Sequence, residues 1–306
     1  MRPAPSSNGQ VRGHVRVMTA AEPRTRAALA DIGENPTSLI VVGDTREVLR
    51  HVPDNTVRCC VTSPPYWSLR DYDIPGQIGL EAELADYFAS LVAVFEEVRR
   101  VLTPDGTLWL NIGDSYTSGG RTWRAPDKKN PVRAMNVRPP TPDGLKPKDL
   151  IGVPWRLAFA LQAAGWYLRA DIIWNKPNCQ PESVKDRPTR CHEMLFLFSK
   201  SEQYHYDPTA VRGPNGRNLR TVWDINTLAY REAHFATFPP QLVERCLALG
   251  STEGDFILDP FLGSGTTGEV ALTMGRRFLG VELNPEYVQI AVRRASESAL
   301  SRIPST

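Results

Sequence analysis

The chain has no uninterrupted apolar stretch near the roughly 20 residues needed to span a bilayer, so no membrane role is expected. Its first thirty residues hold five arginines and lack the apolar centre of a secretory signal, so the expected location is cytoplasmic. Cysteine is sparse: Cys59, Cys60, Cys179, Cys191 and Cys246 form neither an even disulfide set nor a C-x-x-C pair. The five histidines are equally scattered, so no metal is expected. A large charge imbalance is missing too, at a net +2, so the total says nothing about nucleic acid. What remains is an ordinary globular composition, in a chain of 306 residues that can bury a full core.

The distribution of charge says more than its sum. Residues 1–30 carry five arginines against Glu22 alone. Residues 115–150 carry Arg121, Arg124, Lys128, Lys129, Arg133, Arg138, Lys146 and Lys148 against only Asp127, Asp143 and Asp149. Both segments are rich in proline or glycine and show no period, as expected of loops laid along a phosphate backbone or of solvated insertions. Residues 1–36 read as a flexible basic arm. A domain over 37–300 is expected to carry the 115–150 loop and a short polar recognition region, 200–233, as insertions.

Between these segments strands alternate with helices. Leu39–Val42 and Val57–Thr62 read as buried strands, and Leu84–Leu102 as an amphipathic helix with Leu84, Phe88, Leu91, Phe95, Val98 and Leu102 on one face. Strands at 107–112, 166–174, 194–199, 256–259 and 277–282 follow, with helices at 155–164, 239–249, 266–274 and 285–300. The pattern predicts an α/β fold: a mostly parallel, doubly wound sheet covered on both faces.

Two stretches carry chemistry. In Asp259-Pro-Phe-Leu-Gly-Ser-Gly-Thr-Thr267, Gly263, Gly265 and Gly268 satisfy G-x-G-x-x-G between a strand and a helix, a turn that lets backbone approach a nucleotide ligand. Gly265 is expected at a close-approach or positive-φ position. Glu282 ends the next strand, where an acid can accept from ribose hydroxyls. Alone, this motif suits a nicotinamide-dependent oxidoreductase equally well. The second stretch is Thr62-Ser-Pro-Pro-Tyr-Trp67. Its two prolines fix φ and remove two N–H donors, leaving a rigid edge of acceptors at a strand end, flanked by aromatic faces. A nucleobase amine is a poor nucleophile because its lone pair is delocalised. Acceptors bonded to its protons favour a pyramidal, nucleophilic nitrogen, and a ring can hold the base by stacking.

Together, T-S-P-P-Y-W and the downstream D-P-F-x-G-S-G-T-T resemble the amino-methyltransferases of DNA in their β-type motif order. The likeness runs over roughly 38–295 and includes LIGVPWRLAFA, DIIWNK, PESVKDR, His192-Glu193 and HFATFP. It implies a circularly permuted class I, Rossmann-like fold dependent on S-adenosyl-L-methionine, acting on double-stranded DNA, with a cognate restriction endonuclease as a further partner. By this resemblance Ser63, Pro64, Pro65 and Tyr66 are catalytic. Asp44, Phe235, Phe238, Pro239, Asp259, Pro260, Phe261, Gly263, Ser264, Gly265, Thr266, Thr267, Glu282 and Asn284 hold the cofactor, with Asp44 near its adenine amine and Glu282 on its ribose. Trp67, Arg121, Arg124, Lys128, Lys129 and Arg133 are expected to contact DNA. The strands ending at Ser63 and Asp259 are expected side by side. Serine at the first motif position, rather than aspartate, favours the exocyclic N4 of cytosine, with adenine N6 as the alternative. A hydroxyl there can donate to the cytosine ring edge while the Pro64 carbonyl holds the amine.

Overall fold

Along each strand, successive side chains leave for opposite faces, and here both faces are apolar. Cys59 and Val61 enter one core while Cys60, between them, enters the other. A computed structural model describes residues 15–34, 37–117, 139–228 and 238–300. Among the described residues nine strands form one sheet: β1 (Val15–Thr19), β2 (Ser38–Val42), β3 (Val57–Thr62), β4 (Leu102–Ile112), β5 (Tyr167–Asn175), β6 (His192–Ser199), β7 (Val222–Asp224), β8 (Phe256–Asp259) and β9 (Arg277–Glu282). Their spatial order is β1-β2-β9-β8-β3-β4-β6-β5-β7. All pairings are parallel except those that β6 makes with β4 and β5, so the expected mostly parallel α/β sheet is what forms.

One face is covered by α1 (Pro23–Ala30), α2 (Thr45–Val48), α3 (Leu84–Val101) and α4 (Val153–Ala163), the other by α5 (Pro240–Gly250), α6 (Thr266–Thr273) and α7 (Pro285–Leu300). Helix α3 buries Leu84, Leu91, Phe95 and Val98 as its period requires, and Arg99 and Arg100 complement the dipole of its last turn. Helix α4 starts on a cap from outside itself: Asp114 Oδ1 accepts from the N–H groups of Gly152 and Val153 at 2.9 Å.

Two expectations about segments are corrected. The basic arm is not an arm over its whole length: β1 lies parallel to β2 from Val15↔Ser38 to Thr19↔Val42, and α1 seats Leu29 in the core. Five strand residues interrupted by Arg16 are too few to show a period, and pairing with an exposed sheet edge supplies what local pattern does not. Residues 1–14 and 35–36 lie outside the described residues. The polar 200–233 region likewise contributes β7, which pairs with β5 through Ile173↔Val222 and Asn175↔Asp224. The base of the 115–150 loop is closed by a bridge between Tyr116 and Leu150, with the Thr117 N–H on Asp149 O at 3.0 Å. Residues 118–138, which include all five expected DNA-binding basic residues, lie outside the described residues.

Because Leu29 is buried, Leu29→Ala should lower unfolding free energy by about 2–5 kcal/mol, read from a urea titration. A flexible N-terminal segment would leave the midpoint where it was.

Candidate active site

Strands β3 and β8 are neighbours, paired at Cys59↔Ile257 and Cys60↔Leu258, so both motifs emerge from the same edge of the sheet. The Thr62 hydroxyl donates to Asp259 Oδ1 at 2.7 Å, and the Phe261 N–H reaches the same oxygen at 3.1 Å. Thr267 on α6 donates to the Val61 carbonyl at 3.2 Å. Asp259 is 1% exposed. Its burial raises the carboxyl to about 6, against the pull of the Thr62 and Phe261 hydrogen bonds. It ties the two motifs together from behind rather than facing a ligand.

In front of this junction opens a cleft of roughly 300 Å³, within the range of small-molecule sites. Ser63, Pro64, Pro65 and Tyr66 form one part of its wall; Pro260, Phe261, Gly263, Ser264, Thr266, Glu282 and Asn284 form another, with Asp44 and Phe238 also lining it. Gly265 and Thr267, like Asp259, stand behind the wall. Gly265 has φ +86°, and a Cβ there would sit 2.7 Å from Ala291 on α7, so its side of the expectation is helix packing. Pro239 is buried at the start of α5 outside the cleft, and Phe235 lies outside the described residues. Trp67 is corrected outright: it is 4% exposed, its Nε1 donates to the Glu81 carbonyl at 3.0 Å, and it serves the core rather than DNA.

Glu282 is held by backbone. Oε2 accepts from the Gly263 N–H and Oε1 from the Asn284 N–H, each at 2.8 Å. Burial nonetheless raises its carboxyl to about 7. Asp44 caps α2 and is gripped by the Arg46 guanidinium, which also reaches the Gly76 carbonyl at 3.1 Å. Burial raises its carboxyl, but the hydrogen bonds and charge of Arg46 outweigh this and hold it below its ordinary value.

Several residues here escaped the sequence reading. Arg294 of α7 donates to Glu269 at 2.7 Å, Ser264 Oγ at 2.9 Å and Thr266 Oγ1 at 3.0 Å, stapling the glycine-rich turn to the helix behind it. Tyr87 of α3 donates to the Pro65 carbonyl at 2.8 Å and steadies the double-proline turn. On the other wall the Tyr66 hydroxyl donates to Glu193 Oε2 at 2.7 Å, and the Lys176 ammonium is bonded to Glu193 Oε1. Lys176 also lies 4.1 Å from the centre of the Trp174 ring. DIIWNK and His192-Glu193 are visible in the sequence as matching stretches. Their meeting with Tyr66 depends on β4, β6 and β5 lying side by side, which no local pattern displays.

The family model for DNA methylases of the N6 and N4 type matches residues 57–293. The chain belongs to this family. It is 62% identical over 256 residues to the Type II methyltransferase M.Cfr9I of Citrobacter freundii, covering 82% of this chain and 85% of that protein. Among solved structures it is similar to TTHA0409, a putative DNA modification methylase from Thermus thermophilus complexed with S-adenosyl-L-methionine: TM-score 0.61, 29% identity, 85% of this chain and 95% of the other. PvuII DNA methyltransferase shares the fold at TM-score 0.64 and 23% identity, over 86% of this chain and 89% of that one. Membership of the DNA methylase family settles the G-x-G-x-x-G motif against an oxidoreductase.

S-adenosyl-L-methionine is the cofactor of this methylase, and the cleft fits it. Glu282 and Asp44 offer carboxylate oxygens for hydroxyl and amine donors, Phe261 and Phe238 offer apolar surface, and the turn from Gly263 opens onto the first turn of α6. Hydroxyl donors favour the ionised form of Glu282, whereas burial in the cleft favours the protonated form. A carboxyl raised from 4.5 to about 7 supports the fold while protonated and loses that support as pH rises through 7. Cofactor affinity should therefore rise from pH 6 to pH 8, and Glu282→Gln should flatten the dependence in calorimetric titrations. A pH-independent affinity in the unsubstituted protein would remove Glu282 from the ribose contact.

Proposed function

We propose that this DNA methylase moves a methyl group to the exocyclic N4 of cytosine after rotating the base out of duplex DNA. The supporting observation is the parallel β3–β8 pairing, which sets the acceptor edge of Ser63 and Pro64 beside the cofactor turn that follows Asp259. A paired base cannot reach a recess at a sheet edge, so it must leave the stack.

The cofactor supplies an electrophilic methyl on a sulfonium. The chain supplies position and polarity. Pro64 and Pro65 have no N–H to offer, so the turn presents oxygens to the amine protons. Tyr66, half-buried at the cleft wall, gives the base a ring to stack on, and Tyr87 keeps the turn from yielding. No covalent attack on carbon is asked of the protein. Cys59 and Cys60 are buried in the two cores, and burial pushes the Cys59 thiol up to about 12.

Serine at position 63 supports cytosine as the target, because aspartate there is commoner among the adenine enzymes of the family that the sequence resembles. The extensive likeness to a Type II methyltransferase supports a place in a restriction–modification system, with an endonuclease reading the same DNA sequence. Duplex DNA would approach the edge from which the 115–150 loop departs. That loop leaves from the end of β4, beside Tyr66, with Arg121, Arg124, Lys128, Lys129 and Arg133 as its phosphate contacts.

Digestion of host DNA to nucleosides after expression, with mass spectrometry, should find N4-methylcytosine. Finding only N6-methyladenine would move the target to adenine and keep the mechanism. Finding 5-methylcytosine would contradict the mechanism itself.

A further inference from the structure

Ser63 is neutral, and a hydroxyl can donate as well as accept. For an amine that must surrender proton density, only acceptance is useful. Aspartate would guarantee acceptance by charge; something else must do so for serine.

The hydroxyl is the end of a chain of groups. Ser63 Oγ lies 3.5 Å from the Tyr66 hydroxyl, to which it donates. Tyr66 donates in turn to Glu193 Oε2 at 2.7 Å. The fit at Gly113 is close: a Cβ there would lie 2.7 Å from Tyr66 Cε2, so only glycine lets the phenol reach this place. Beyond the carboxylate stands the Lys176 ammonium, bonded to Glu193 Oε1, and the two side chains are only 15% and 19% exposed. Burial works to protonate Glu193. The Lys176 charge and the hydrogen bonds from Lys176, Tyr66 and Asn111 overcome it and hold the carboxyl below its ordinary value. A carboxylate that stays ionised can only accept. Tyr66 must then point its proton at Glu193, which leaves its oxygen to accept from Ser63. The Ser63 proton is committed to Tyr66, and only lone pairs face the cleft. The serine expected from sequence to donate to the base edge is by this geometry an acceptor.

We propose that Glu193 and Lys176 are positioning residues that act through Tyr66 to fix Ser63 as the acceptor of the target amine. The same chain gives the amine proton a route when the nitrogen–methyl bond forms and the sulfonium–methyl bond breaks. The nitrogen gives its proton to Ser63 Oγ, Ser63 passes its own to Tyr66, and Tyr66 passes its own to Glu193, which ends neutral. Charge balances because the positive charge lost from sulfur leaves with that proton. The 3.5 Å link is long for a hydroxyl pair, and catalytic hydrogen bonds of this kind shorten once substrate is bound.

This inference rests on the reading that Ser63 meets the amine, and the test separates the two. Single-turnover methyl transfer is measured at saturating cofactor and duplex DNA for Ser63→Ala, Tyr66→Phe, Glu193→Gln and the Tyr66→Phe/Glu193→Gln double variant. In Glu193→Gln, Lys176 takes the amide oxygen, the amide NH2 turns to Tyr66, and the direction of donation reverses. Loss of one hydrogen bond to a charged group corresponds to about a 10- to 100-fold slower rate. Each single variant at 66 and 193 should show a loss of this size, the double variant should lose no more than either, and cofactor affinity and melting temperature should hold. Introducing Ser63→Asp, an acceptor by its own charge, should make the rate indifferent to Glu193→Gln. A Glu193→Gln rate equal to that of the unsubstituted protein, with Ser63→Ala inactive, overturns the relay alone, as do additive losses in the double variant. A fully active Ser63→Ala overturns the reading of the amine site and the relay with it.

Discussion

The Thr62 hydroxyl reaches Asp259 across 197 residues of chain, and the arrangement of the site follows from that contact. Two strands far apart in sequence lie parallel and adjacent, so the turns that follow them open side by side. One turn is stiffened by proline, the other is shaped by glycine, and neither could exchange roles. The proline turn has no N–H at positions 64 and 65, so its edge toward the cleft is poor in donors. The glycine turn is shaped by what lies behind it: a Cβ at Gly265 would sit 2.7 Å from Ala291, and one at Gly268 would sit 2.7 Å from Phe278. The hydrogen bond behind them fixes their separation, and separation is what a transfer between two bound molecules demands.

Three acids around the cleft meet the cost of burial in different ways. Asp259 is paired only with neutral donors and is pushed up to about 6. Glu282 is held by two backbone N–H groups and is pushed up to about 7, awaiting donors that a ligand would bring. Glu193 has a lysine against it and stays ionised. The three differ in partner, and the partner decides which way each carboxyl shifts. Buried ion pairs contribute little to stability alone. The Lys176–Glu193 pair stands where its charge can order hydroxyls instead.

Much of this was readable from sequence because it is local. Strand and helix periods, the double proline and the glycine-rich turn are properties of consecutive residues, whereas the adjacency of Ser63 and Asp259 was implied by the family resemblance. What escaped was set by neighbours in space. The strand β1 is five residues beside an arginine-rich stretch, and β7 is three residues at a sheet edge; each exists because another strand offers it hydrogen bonds. Trp67 adjoins Tyr66 in sequence yet is driven into the core by the turn over residues 67–69, in which Ser68 stands at φ +52°. Arg294, Tyr87, Lys176 and Glu193 come from four other elements or their ends and meet the motifs only after folding.

The central claim is that the two motifs act as one unit through the Thr62–Asp259 contact. A double-mutant cycle with Thr62→Val and Asp259→Asn, read as single-turnover methyl transfer, tests it most directly. A hydrogen bond that sets the geometry of transfer predicts a coupling of about 1.5–3 kcal/mol between the two substitutions. Losses that simply add would mean that the strand ends hold their places independently, and would contradict the account.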